Sequence, residues 1–172
     1  MELSKYVACI CEGASEETII KILLDANKLK FTYDDLIDND IIRCRSAQKF
    51  EERYLRKGFF GEITILRVLD SRRENFKLSK AYEKKIKVIN IITAPEIEML
   101  VILNEKQYEN FKRSGKKPSD YCKSDLHYHD VKSKSFLTDY FSDVNVLISA
   151  IREYRKKAQN RPGEFALTDI LK

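Results

Sequence analysis

The chain has 172 residues, 43% of them hydrophobic and 34% charged, with a formal net charge of +5 from 32 basic and 27 acidic residues. This is the composition of one globular domain, or a domain with an appendage, with enough apolar side chain to fill one core. No apolar run approaches the length needed to span a bilayer and the N-terminal MELSKY lacks a signal-peptide pattern, so no membrane span is expected and the expected location is the cytoplasm. The modest positive charge is compatible with nucleic acid without establishing it. None of Cys9, Cys11, Cys44 and Cys122 forms a CxxC pair, so they read as reduced thiols rather than a zinc site.

Tyr6 to Leu24 (YVACICEGASEETIIKILL) predicts a buried strand, a tight turn at Gly13 and an amphipathic helix capped by Ser15. Glu12 stands at the carboxyl end of that strand, where open α/β sheets gather ligands and catalytic groups. It is a candidate metal ligand or general base. Glu16 and Glu17, in the first helical turn, read more simply as complements to the helix dipole. The acidic segment with Asp34, Asp35, Asp38 and Asp40 lacks the glycine and terminal glutamate of an EF-hand, which leaves these aspartates as solvated or capping groups. Ile41 to Arg45 predicts a short strand, and Ser46 caps a helix through about Lys57, ended by Gly58; Phe59 to Gly61 is expected to be a loop.

Glu62 to Leu69 (EITILRVL) predicts a second central strand, and it too ends in an acid, Asp70. Alone, Asp70 reads equally well as a turn cap. Beside Glu12 it forms a pair of like charges that needs a cation or a proton. Glu74 to Lys87 predicts a basic helix or helix-loop, and Val88 to Ile92 a third strand. A helix follows, with Pro95 in its first turn and Glu98 set among Ile97, Met99, Leu100 and Val101. A carboxylate in such surroundings is a site candidate, because burying an unpaired charge is expensive. Glu96 is the weaker one.

Gln107 to Lys117 predicts a polar helix ending at Gly115, Pro118 to Lys134 a loop, Ser135 to Phe141 a short helix and Asp143 to Lys157 an amphipathic helix. Asn160 to Gly163 breaks that helix, and the apolar tail from Phe165 to Leu171 is expected to pack back on the core. His127 and His129 would share a face on a strand and form half of a metal site there; otherwise they are surface or substrate-contacting residues. Basic residues cluster at Lys77 to Lys87, at Lys112, Arg113, Lys116 and Lys117, and at Arg152, Arg155, Lys156, Lys157 and Arg161. Each cluster alone reads as a solvated face; three in one small chain fit phosphate contacts.

Three stations in order, CEGASEETII, ILRVLDSRR and TAPEIEMLVIL, make residues 6 to 103 resemble a TOPRIM domain, and most closely the RloB and AbiLii-like branch of bacterial defence proteins. The resemblance implies an α/β fold with a Rossmann-like, mainly parallel sheet of about four strands flanked by helices, in one domain over residues 1 to 172, with a helical C-terminal extension over 104 to 172. It implies an Mg²⁺- or Mn²⁺-dependent nuclease cleaving RNA or DNA in anti-phage defence. Glu12 would be general base and metal ligand, and Asp70 and Glu98 the other ligands. Arg72, Arg73 and Lys77 would contact phosphates. Arg72 departs from the family's pattern, since a second aspartate is expected there; this puts metal binding in question and opens a second possibility, a module that binds nucleic acid or a partner protein without cutting. A third is a small α/β protein whose strand-end acids are only caps. By analogy the resemblance also implies a separate ATPase partner, since this chain lacks a Walker A motif, and admits a homo-oligomer.

Overall fold

The computed structural model describes residues 1–56, 61–72, 75–93, 97–158, 161 and 164–172. Its sheet consists of β1 (Tyr6–Cys11), β2 (Ile63–Leu69) and β3 (Lys87–Ile92), parallel and in the spatial order β1-β2-β3. Val7 pairs with Thr64 and Thr64 with Lys87; at the other end Cys11 pairs with Val68 and Leu69 with Ile92. Parallel pairing brings all three carboxyl ends to one edge.

The expected sheet of about four strands is corrected to three among the described residues. Residues 36–42 occupy the place of the fourth but touch β1 only through isolated bridges, Leu36 to Val7 and Ile42 to Ile10. The Ile42 N–H donates to the Cys9 carbonyl at 2.8 Å, and the Cys11 N–H donates to the Ile42 carbonyl at 3.0 Å. Between the bridges Asn39 takes a left-handed φ of 51°, which turns the chain out of extended pairing. On the opposite edge Phe165 bridges Ile91 and accepts from the Ile92 N–H at 2.8 Å. Each outer strand thus has backbone covering it, which blunts edge-to-edge association.

Side chains alternate across the sheet as strand geometry requires. Val7, Cys9, Cys11, Leu66, Val68, Ile89 and Ile91 face the larger core, built with α1 (Ala14–Asp25), α4 (Glu98–Asn104), α6 (Pro118–Ser124), α7 (Lys134–Tyr140), α8 (Val144–Lys157) and α9 (Leu167–Ile170). Ala8, Ile10, Ile63 and Ile65 face a smaller core closed by α2 (Ala47–Phe50), which widens into a π turn over Glu51–Leu55. The short α3 (Lys80–Glu83) lies on the same side through its own Tyr82 and the preceding Leu78. It is all that is helical in the described part of the segment expected from Glu74 to Lys87. The buried Glu51 accepts from the Ser79 N–H at 2.6 Å and so satisfies the entry of α3.

The helix that was expected to be a loop is α6. Pro118 at its first turn is pre-set for helical φ, and Tyr121 and Cys122 bury one face of it against the core. In contrast α5 (Tyr108–Ser114) ends as its sequence predicts, with Gly115 at φ 64°. The Ser46 hydroxyl caps α2 by accepting from the Lys49 N–H, and Asp143 caps α8 by accepting from the Asn145 N–H. The helices after residue 103 pack onto the core: α8 lies on α4, and Leu171 bridges Leu29. The expected Gly58, Phe59 and Phe60 turn lies outside the described residues. Among the described residues no helix is long and apolar enough to cross a membrane.

Candidate functional site at the carboxyl edge of the sheet

Glu12 and Asp70 are the first residues beyond β1 and β2. Because Cys11 pairs with Val68, Glu12 lies beside Leu69 and Asp70 one residue further on, on strands about 4.8 Å apart. The backbone holds both stations. The Glu12 N–H donates to the Val68 carbonyl at 3.3 Å. The Leu69 carbonyl, next to Asp70, accepts from both the N–H and the hydroxyl of the buried Thr93, at 2.8 and 2.9 Å. Glu12 is half-buried, with its Oε2 turned away from solvent, whereas Asp70 is exposed.

The turn into α1 differs from the expected Ser15 cap. Gly13 is the N-cap, and Ser15 sits inside the helix, where its hydroxyl donates to Glu16 Oε1 at 3.1 Å. Glu16 is only 4% exposed. Its carboxylate folds back over Gly13 so closely that a Cβ there would meet Oε2 at 2.6 Å. A side chain at Gly13 would therefore require the far end of Glu16 to shift, while its φ of −128° is open to any residue. Glu17 does something different: it accepts from Lys21 at 3.0 Å and Arg43 at 2.5 Å, and Lys21 also reaches Asp40 at 3.3 Å. Partial burial pushes the Glu17 carboxyl up, but the Lys21 and Arg43 hydrogen bonds outweigh it and the net shift is downward. A hydrogen bond with Cys9, together with burial, pushes the Cys11 thiol well up. It therefore stays protonated and is no nucleophile at neutral pH.

Glu98 is fully buried at the start of α4, as its apolar neighbours predicted, yet it does not join Glu12 and Asp70. Its Oε1 lies 2.9 Å from the Nζ of Lys132, whose side chain is half exposed. The pair opens on a separate cleft of about 300 Å³, lined by Ser119, Lys123, His129, Asp130 and Ser133 among others. His127 and His129 lie on the loop between α6 and α7, His127 at φ 61°, so the strand on which they would share a face is not formed. Among the described residues no three His, Cys, Asp or Glu side chains form a group that could hold a metal.

Of the expected phosphate contacts, Arg72 is engaged elsewhere. Its Nε and a terminal nitrogen donate to the two oxygens of Glu164 at 2.8 and 3.2 Å, fastening the tail beside the end of β2. Lys77 is exposed and lines a different cleft with Phe76, Leu78 and Val88, beside the smaller core. Arg73, Pro95 and Glu96 lie outside the described residues. The Arg72 guanidinium holds the Glu164 carboxyl below the usual carboxylate range. A lowered carboxyl stabilises the fold above its unfolded pKa and loses that contribution as pH falls through the folded value. Glu164→Gln is therefore expected to lower the melting temperature at pH 7, with a loss below about 1 kcal/mol. The difference from wild type should begin to shrink near the ordinary glutamate pKa of about 4.3 and vanish once the pH has fallen through the lowered folded value; thermal melts across that range check it.

The sequence reading overlooked Arg67. It lies in the middle of β2, is 2% exposed and stacks its guanidinium 4.6 Å from the centre of the Phe76 ring. An arginine keeps its charge when buried, so a fixed cation stands three positions before Asp70. Its signal was present in EITILRVL as the one charge inside an apolar run.

Carboxylates are the donor type Mg²⁺ takes, usually one or two of them with waters and substrate phosphates completing the shell, and Glu12 and Asp70 supply one from each of two adjacent strand ends. The chemistry this edge offers is a half-buried carboxylate at Glu12 and an exposed one at Asp70, each station held at its strand end by backbone hydrogen bonds. Comparison with family models, with curated proteins and with solved structures gives no match to this chain, so the site is described by its own geometry alone.

Proposed function

We propose that this chain is a metal-dependent nuclease of TOPRIM type, cutting phosphodiester bonds in RNA or DNA with Glu12 and Asp70 as its working carboxylates. The observation that carries the reading is their position: each is the first residue past one of two adjacent parallel strands, on one edge of the sheet. Mg²⁺ or Mn²⁺ bound there would neutralise phosphate charge and favour deprotonation of the attacking water. Glu12, the more buried of the two, takes the water's proton as general base. Asp70, exposed at the edge, meets the substrate side. Glu98, the third acid of the resemblance, is held by Lys132 and joins the set only when that ion pair opens. Arg72 likewise reaches a phosphate only by releasing Glu164. A role in defence beside a separate ATPase, with or without self-association, rests on the resemblance alone.

The Glu98–Lys132 and Arg72–Glu164 pairs favour a second reading, in which the same module binds nucleic acid or a partner ATPase without cutting. Labelled tRNA, single-stranded RNA and plasmid DNA incubated with Mg²⁺, Mn²⁺ or EDTA separate the two. The nuclease reading expects metal-dependent products and a fall of about 100-fold or more in Asp70→Asn. Salt-sensitive binding without products, unchanged in Asp70→Asn, would establish the module instead.

A further inference from the structure

Two of the three basic clusters, far apart in the chain, meet on one tyrosine. Lys112, in the last turn of α5, places its Nζ 5.8 Å from the centre of the Tyr108 ring, and Lys157, in the last turn of α8, places its Nζ 4.9 Å from the same centre. The two ammonium groups are thus at most about 11 Å apart, close to the Debye length at moderate salt, and repel each other weakly. Both side chains are exposed, and the ring holds them by cation–π attraction. Beside them runs an open groove of about 390 Å³ between the end of α4, α5 and α8, with Lys106 on its rim in a left-handed conformation at φ 57°. Glu109 and Glu153 also line it, and Glu153 lies 3.7 Å from Lys156. Arg155 and Lys156 extend the basic end of α8.

We propose that this α5–α8 face is the track on which the phosphate backbone of a nucleic-acid strand lies. The inference rests on the nuclease reading for its class of partner and adds where the strand is held, away from the carboxylates. Lys106 and Lys157 line the groove together with Glu109 and Glu153, and the exposed Lys112 and Lys156 stand beside it; a row of cations on one face suits a polyanion with repeated charges, and the aromatic ring that positions two of them offers a surface for a base once a lysine moves onto phosphate. An anionic membrane fits less well. The apolar side of α8, with Leu147, Ala150, Ile151 and Tyr154, is buried in the core and has nothing to insert into lipid.

The test is fluorescence anisotropy of a labelled single-stranded RNA oligonucleotide with the full chain in EDTA, so that cleavage does not contribute. Lys112→Gln/Lys157→Gln, at two exposed positions, is expected to bind about tenfold more weakly, with the slope of log affinity against log salt reduced by about 1.4 for two lost phosphate contacts on a single strand. Lys112→Arg/Lys157→Arg should bind as wild type does. Equal affinity and equal salt slope in the Gln double variant would overturn the track, as would a wild type that binds phosphatidylserine vesicles through these lysines but not RNA. Failure of the track is separable from failure of the nuclease. Cleavage by wild type with KM unchanged in the Gln double variant removes the track and leaves the nuclease. Lysine-dependent binding by a wild type that cuts nothing in metal removes the nuclease and leaves the track.

Discussion

Glu12→Gln is expected to lower the rate of metal-dependent cleavage by about 10² to 10⁴-fold, the usual contribution of a positioned general base. The substitution preserves shape and hydrogen-bonding reach but removes the negative charge and the proton-accepting oxygen. The position is set by the backbone, through the Glu12 N–H on the Val68 carbonyl, so the fold does not depend on the carboxylate for that contact. The melting temperature should accordingly move by little. RNA affinity measured in EDTA should also be unchanged, since the lysine track lies elsewhere. The diagnostic pattern is a fall in kcat at nearly constant binding. A variant that cuts at the wild-type rate would remove Glu12 from the chemistry and leave Asp70 without a partner.

The largest expected loss of stability is at Phe50. It is fully buried in the smaller core, with its ring centre 5.1 Å from that of Tyr54 and 6.2 Å from that of Phe76. Phe50→Ala removes the largest apolar side chain of that cluster and leaves a cavity between α2 and the sheet. Substitutions of this kind cost about 3–5 kcal/mol, against total stabilities of about 5–15 kcal/mol for a domain. The effect reaches further than packing, because Phe76 also carries Arg67 on its ring. Loosening Phe76 exposes the buried guanidinium to water. In urea the midpoint should fall sharply at nearly constant slope. Phe50→Leu, which keeps most of the volume, should lose less than half as much. A loss under about 1 kcal/mol in Phe50→Ala would mean that the second face of the sheet closes over the missing ring without cost, contrary to the close packing of interiors.

Much of the fold was legible in order along the chain. The three apolar β-branched runs became the three strands, and the acids after the first two stand at the shared edge. The cap at Ser46 and the stop at Gly115 act as their residue types predict, whereas Ser15 gave up its predicted cap to Gly13. The departures have local causes. Ile41 to Arg45 is apolar enough for a strand, but Asn39 and its flanking aspartates turn the chain before a ladder can form. Pro118 to Ser124 looks like a loop because its residues are polar and mixed, yet proline at the first turn and the pair Tyr121 and Cys122 suffice for a short packed helix.

The candidate site divides in the same way. Glu12 and Asp70 could be placed from sequence, because a parallel sheet carries every strand end to one edge. Burial of Glu98 was also legible, from Ile97, Met99, Leu100 and Val101 beside it. What periodicity does not contain is the partner of each charge. Lys132 comes to Glu98 from a loop, and Glu164 comes to Arg72 from 92 residues away. Lys157 comes to Tyr108 from another helix. Side-chain period and capping chemistry act within a few residues and can be read along the chain. Charge pairing across the fold depends on which loops close over which strands. By itself the sequence determined the elements, their buried faces and the acidic edge; the tertiary structure alone decided which of its charges are spent on one another and which remain turned outward.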